Sequence, residues 1–282
     1  AAIPRSIVIG GPVAGIRLAL DGLRGMRGWQ WLYLLEGAPA FFLGFVVLVW
    51  LPDTPSQVRW LNDAERAWLD TRIRAERHEA QQRHGIGLGR ALLHPTVWKL
   101  ALIMFTCQSG SYGLTLWMPQ ILKGLSGFSD LLVGMISALP YVAAAAGMIL
   151  IGASSDRTGE RFYHIAVPSL VAVVGFTASA WLTTPLPAMI ALTVAAIGDL
   201  GSRGPFWALP GRFLTGSAAA GAIALINTVG SLGGFVGPYA VGLVKDATGS
   251  FTGGLLFLAG LLFLGAVGTL RLRHAPVLAR DS

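Results

Sequence analysis

Of the 282 residues, 54% are hydrophobic and 12% charged, about half the charged share of a soluble domain, which excludes an ordinary soluble domain and points to a membrane-embedded chain. The net charge of +7 does not mark a nucleic-acid surface, because the basic residues are not grouped on one aromatic-interleaved face. The single Cys107 excludes an internal disulfide, and its place in an apolar run predicts a packed, inert thiol.

A bilayer-crossing helix needs about 20 predominantly apolar residues. Eight runs meet this, at 1–20, 31–51, 97–121, 131–153, 164–183, 187–211, 217–240 and 252–271. An apolar run is already under way at residue 1, with no initiator Met and no signal-peptide pattern. The sequence therefore reads as starting partway through a membrane protein. Pro and Gly inside several runs do not veto helix, because neighbouring helices satisfy freed backbone groups in lipid. Nine Trp and 37 Gly fit aromatic belts and close helix packing.

The connections sort by charge. The stretch 52–96 carries Arg59, Arg66, Arg72, Arg74, Arg77, Arg83 and Arg90, and the tail carries Arg271, Arg273 and Arg280. The alternate connections hold fewer, with Arg24 and Arg27 in the first, Lys123 in another and Lys245 near the last. The positive-inside rule then places 52–96 and the C-terminus in the cytoplasm. Within 52–96, Pro52 and Pro55 read as a helix stop and a turn. Trp60, Leu61, Ala64, Ala67, Trp68, Leu69 and Ile73 follow at helical spacing, with Asn62 as N-cap for a helix over about 63–80. Its Trp and Leu side is expected to face lipid headgroups or the bundle; the alternative is a solvated linker.

Between the runs 131–153 and 164–183 lies a tight charged cluster of Gly152, Ser154, Asp156, Arg157, Gly159 and Arg161. Its two arginines place it on the cytoplasmic face. Polar groups inside spans are expensive and so are functional candidates. Gln108, Ser109 and Tyr112 lie mid-span and, at three- and four-residue separations, are expected to share a face. They would either contact a substrate or hydrogen-bond between helices. Asp199 and Arg203, four residues apart on one helix, are expected to pair inside the membrane. A structural pair is the default reading, and proton coupling the lesser one. No nucleophile–base set or metal-ligand spacing is visible, so neither an enzyme nor a cofactor is expected.

The cluster at 152–161 resembles the loop signature of the major facilitator superfamily, as found between the second and third helices of its C-terminal half. Further stretches are similar to the anion:cation symporter family within it, whose members import organic acids such as tartrate, phthalate and sugar acids. They are GWQWLYLLEG at 28–37, LPDTP at 51–55 with Trp60 and Leu61, YGLTLWMP at 112–119, NTVGSLGGFVGP at 227–238 and KDATG at 245–249.

The resemblance implies an all-α membrane bundle in which the spans here match the fifth to twelfth helices of 12. Residues 1–51 would then be the last two helices of the N-terminal bundle, 52–96 a cytoplasmic linker, 97–273 a complete six-helix C-terminal bundle and 274–282 a tail. The first four helices would be missing partners, and from the first and fourth of them the family draws its principal substrate arginine and proton-carrying acids. The resemblance also implies cavity-lining roles for Trp207 and Asn227, against belt and packing readings, and a latch role for the 152–161 cluster, against a plain topology anchor. Family members with sugar-acid substrates carry small polar residues just before the Trp, where Gly204 and Phe206 stand here. The expected function is proton-coupled symport of small organic anions by alternating access in the cell (inner) membrane. The partners would be the anion, a coupling cation (H⁺) and lipid, with no nucleic acid. The rival reading is a non-transporting remnant of such a carrier.

Overall fold

The computed structural model describes residues 20–58, 60–82, 88–213 and 216–273. Nearly all of the expected span 1–20, with Arg5, and the tail from 274 onward lie outside the described residues. The chain divides into two compact units, one within residues 12–85 and the other dominated by residues 86–282.

Among its described residues the first unit holds two long helices. Helix α1 (Gly28–Trp50) begins where the Asp21 carboxylate accepts from Gly28 N at 2.6 Å and Gln30 Oε1 accepts from Arg27 N at 2.8 Å. These acceptors satisfy donors that the first helical turn leaves orphaned. It stops at Leu51, next to Pro52, because the residue before proline is pushed out of helical conformation. Helix α2 (Asp63–Gln82) opens on a capping box. Asn62 Oδ1 accepts from Glu65 N at 2.8 Å, and Glu65 Oε2 accepts from Asn62 N at 3.0 Å. Trp60 and Trp68 are exposed.

The described residues of the second unit begin with the short α3 (Leu88–Leu93) and continue as a bundle. Its long helices are α4 (Pro95–Ser126), α5 (Asp130–Thr158), α6 (Phe162–Trp181), α7 (Pro185–Gly201), α10 (Gly216–Thr248) and α11 (Thr252–Leu272). Two short pieces, α8 (Arg203–Trp207) and α9 (Pro210–Phe213), lie between α7 and α10. Helix α4 packs against α10, α11 and α7, while α6 packs against α7 and α11, and α5 against α7. The core is built from Leu100, Met118, Ile165, Phe176, Leu192, Ile226, Leu258 and Leu262, all fully buried.

Small residues set the closest approaches. A Cβ on Gly233 would sit 2.1 Å from the Phe105 carbonyl oxygen, and one on Gly237 would sit 2.3 Å from the Ser109 carbonyl oxygen. Gly198 meets the Pro168 carbonyl in the same way at 2.3 Å. Backbones this close are how membrane helices gain packing without a hydrophobic driving force between them.

Among the described residues six helical segments are long and apolar enough to cross a membrane: Gly28–Trp50, Leu132–Thr158, Phe162–Trp181, Pro185–Trp207, Ala218–Thr248 and Thr252–Leu272. Helix α4, at 32 residues, has the length but is not among them. Its composition is diluted by Gln108, Ser109, Ser111, Thr115 and two lysines.

The expected single run at 187–211 is broken. Pro205 has no N–H to donate to the Gly201 carbonyl, and the chain turns at Ser202 before resuming as α8. The Ser202 hydroxyl donates to the Asp199 carbonyl at 2.7 Å and steadies the break.

Candidate functional site

One face of α4 carries a row of side chains at helical spacing, Met104, Gln108, Ser111, Tyr112 and Thr115, and this row forms one wall of a cavity of about 470 Å³. Opposite stand Tyr141 and Met148 from α5, Asp199 and Leu200 from α7, Gly204 and Trp207 from α8 and Asn227 from α10. The cavity is graded in polarity and exposure. Tyr112, Trp207 and Asn227 form an exposed rim of aromatic and amide groups, whereas Asp199 is buried at the floor.

The floor is a network centred on Arg203. Its Nη1 donates to Gln108 Oε1 at 2.8 Å, and its Nη2 donates to the Cys107 carbonyl at 2.8 Å and to Ser111 Oγ at 2.7 Å. Ser111 in turn donates to the Asp199 carboxylate. Arg203 and Asp199 themselves stand 3.8 Å apart, with side chains 11% and 1% exposed. The guanidinium is therefore held chiefly by neutral acceptors, with Ser111 bridging it to the acid. Asp199 Oδ1 and Arg203 Nε are both buried with no hydrogen-bond partner among the described residues. A guanidinium presents a planar fork of donors matched to carboxylates. A floor of this kind in a partly apolar cavity is chemically suited to a small organic acid.

Of the residues singled out from sequence, Gln108, Tyr112, Trp207 and Asn227 line this cavity. Ser109 does not. It is fully buried in the seam between α4 and α10, donates to the Phe105 carbonyl at 2.9 Å, and has Gly233 and Gly237 packed upon it. One residue along a helix is a rotation of about 100°, enough to carry Ser109 from the cavity wall into the seam. Asp199 and Arg203 lie in one span, Pro185–Trp207, on either side of the one-residue turn at Ser202, whose backbone stays in the right-handed helical region.

Ser111, Thr115 and Tyr141 were not anticipated. Ser111 and Thr115 continue the Gln108 row at three- and four-residue steps, so the spacing could have found them. The Tyr141 hydroxyl donates to Thr115 Oγ1 at 2.8 Å and ties α5 to α4.

The charged cluster at 152–161 forms a compact turn capped by Gly159, whose φ of 68° is a conformation open to glycine at little cost. Arg161 Nη1 donates to Asp156 Oδ1 at 2.6 Å and to Ser155 Oγ at 3.0 Å. Arg157 is exposed on the same turn. Glu160 accepts from Tyr163 N at 2.9 Å and lies 3.0 Å from His164 Nδ1. Burial alone would raise the Glu160 carboxyl, but the hydrogen bonds from Tyr163 and His164 outweigh it and hold the group below its ordinary value of 4.5. The Arg273 guanidinium lies 4.8 Å over the Tyr163 ring, joining the end of α11 to the start of α6.

Residues 1–238 match the family model described as the Major Facilitator Superfamily. The chain belongs to the major facilitator superfamily. A protein of Agrobacterium vitis named "Putative tartrate transporter" is 44% identical over 283 aligned positions, covering 100% of this chain and 61% of that protein. A second A. vitis protein of the same name is 45% identical, covering 98% and 64%. A "Quinolone resistance transporter" of Acinetobacter baumannii is 39% identical, covering 94% and 61%. The chain thus spans about three-fifths of the length of these relatives. In fold it matches the inward-facing, occupied crystal structure of a bacterial homolog of the human lysosomal transporter Spinster, with a TM-score of 0.64 at 17% identity over 99% of this chain and 68% of that one. It is a multi-pass membrane protein of a transporter family, not an enzyme family.

Proposed function

We propose that this chain belongs to a secondary transporter of small organic anions, carboxylates of the tartrate or phthalate kind, driven by proton symport and working by alternating access. The observation that carries the substrate class is the Arg203 guanidinium at the cavity floor, held by Gln108, Ser111 and the Cys107 carbonyl rather than directly by an acid. A carboxylate reaching the floor would find a preorganised cation, the Gln108 amide beside it and donors from Tyr112 and Asn227 at the rim. Trp207 would stack against or enclose the carbon skeleton. The two relatives whose names mention tartrate support the same class.

In this reading 1–51 contributes to an N-terminal bundle, 52–96 is a cytoplasmic linker, and 97–273 is the C-terminal bundle with its terminus in the cytoplasm. The cluster of Gly152, Asp156, Arg157, Gly159 and Arg161 serves as a gate latch whose contacts break and re-form as the bundles rock. The test is uptake of labelled tartrate, phthalate and a quinolone by proteoliposomes holding the protein in its full-length form. Saturable tartrate or phthalate uptake competed by other dicarboxylates, and not by neutral diols, is the expected result. Uptake of the quinolone alone, or of no acid at all, would overturn the assignment.

A further inference from the structure

The N–H groups of Arg203 are almost all taken up by the protein itself. Its Nη2 is shared between the Cys107 carbonyl at 2.8 Å and Ser111 Oγ at 2.7 Å. Its Nη1 donates to Gln108 Oε1 at 2.8 Å and lies 3.7 Å from the Met104 sulfur. The remaining donor, Nε, is buried. A carboxylate therefore has to displace one of these acceptors to meet the guanidinium. They differ in how readily they yield. The Cys107 carbonyl is main chain inside α4 and cannot turn away. Ser111 is pinned from behind, because its hydroxyl also donates to the Asp199 carboxylate, and Met104 is buried. Gln108 is half-buried and lines the cavity, and among the described residues its amide makes no hydrogen bond except the one to Arg203. Its side chain is long and unbranched, so a change of rotamer frees the guanidinium without moving α4.

We propose that Gln108 is a displaceable cap on Arg203, which yields to an organic carboxylate and excludes small inorganic anions such as chloride. The proposal rests on the organic-anion reading above. Gln108 Oε1 stands where one oxygen of a substrate carboxylate would accept from Nη1. Being neutral, it satisfies the donor without cancelling the charge that draws an acid in. An arriving carboxylate replaces that neutral acceptor with a charged one, which makes the stronger bond to a guanidinium. Once displaced, the amide can turn its NH₂ toward the acid and donate to the second carboxylate oxygen or to a neighbouring hydroxyl. Tyr112 and Asn227 at the rim offer further contacts to the rest of the molecule. Chloride has a single centre. It would break the Gln108 bond, shed its own water and regain one contact, with no second oxygen or hydroxyl for the freed amide to hold. The cap thus sets a threshold that an acid with several contacts crosses and a point charge does not, which is specificity by a penalty on the wrong ligand.

The test is equilibrium binding of labelled tartrate to the purified protein in its full-length form, across a series of chloride concentrations, for wild type and Gln108→Ala. Screening by salt acts on both proteins alike, so wild type in the same series is the control. Chloride is expected to weaken tartrate binding by the variant at least about tenfold more than by wild type, the ratio set by one lost bond to a charged group. Equal sensitivity of the two proteins to chloride overturns the cap and leaves the anion reading standing. If Gln108→Ala does not fold or binds too little tartrate to follow, Gln108→Leu and chloride itself decide the matter. This variant keeps the bulk of the side chain and removes its acceptor. Its Tm is expected to rise with chloride, as a bound ligand requires, while that of wild type does not. A variant whose melting responds to chloride only as wild type does would assign the exclusion to bulk rather than to the hydrogen bond and overturn the proposal. A wild-type protein that binds no organic acid contradicts the anion reading and the proposal together.

Discussion

Two acid–arginine pairs in the bundle use the same residue types under opposite conditions. Asp156 and Arg161 meet directly at 2.6 Å on a turn, with the Asp side chain 72% exposed. Asp199 and Arg203 stand 3.8 Å apart at the cavity floor, 1% and 11% exposed, with Ser111 between them. Proximity alone would rank the first pair as the stronger, yet water and salt screen it to a contribution of about 0–1 kcal/mol. The second pair is costly to bury and costlier to break, because removing one partner strands the other's charge. Contact distance is thus a poor guide to what a pair is for. The exposed pair is cheap to open and re-form, as the proposed gate contact requires, while the buried pair fixes the charge at the floor of the proposed binding cavity.

The sharpest way to break this contrast is Arg203→Met. Stranding Asp199 is expected to cost about 3–5 kcal/mol of stability, read as a large fall in the Tm of the detergent-solubilised protein. A loss below about 1 kcal/mol would put the buried pair in the same class as surface ones. Packing gives the next effect. Gly233→Val forces a side chain against the Phe105 carbonyl, whereas a Cβ at Gly204 meets nothing within 4 Å. The first should cost about 1–3 kcal/mol, and Gly204→Ala should stay within about 0.5 kcal/mol, both by thermal unfolding. Equal effects would show that the seam is not as tight as its close approaches indicate.

Asp156→Asn is expected to cost less than about 1 kcal/mol and to slow uptake while leaving the order of substrates unchanged. A large change of selectivity would remove the latch role. The smallest effect belongs to Glu160. A carboxyl held below its ordinary value adds stability above that value and loses it as pH falls through its folded value. Melting curves taken from neutrality down to the acid side of 4.5 should therefore separate wild type from Glu160→Gln near neutrality and converge as the solution becomes more acid. A gap that persists unchanged would assign the Glu160 contacts to shape rather than charge.

Much of this architecture is legible as hydrophobic runs, because each helix in lipid must be apolar over its own length. Legibility fails where tertiary packing decides. Helix α10 continues to Thr248, past the expected stop at 240, because Pro238 is tolerated inside it. The Trp117 indole N–H adds a bond to the Pro238 carbonyl at 2.9 Å, fastening α4 to α10 there. The break at Ser202 depends on one missing donor at Pro205, which a run of apolar residues conceals.

At the site, Gln108 and Tyr112 stand out as polar groups within an apolar run, and Arg203 as a charge. Ser111 and Thr115 do not, because hydroxyls commonly bond to their own backbone, as Thr115 does to the Ser111 carbonyl at 2.8 Å. Tyr141 joins the site only through the rotation of α5 about its axis, and a helix apolar on nearly every side carries little record of that. Ser109 was misplaced for the same reason, since spacing defines a face within about one residue and neighbours choose between candidates.

The account turns on Arg203 reading a carboxylate at the floor of the cavity. The direct measurement is equilibrium binding of tartrate and of its uncharged diamide to the purified full-length protein and to its Arg203→Gln variant. The wild type should bind the acid far more tightly than the diamide, and the variant should lose that preference while keeping weak affinity for both. A variant that still prefers the acid as strongly as wild type would place carboxylate recognition elsewhere and contradict the account.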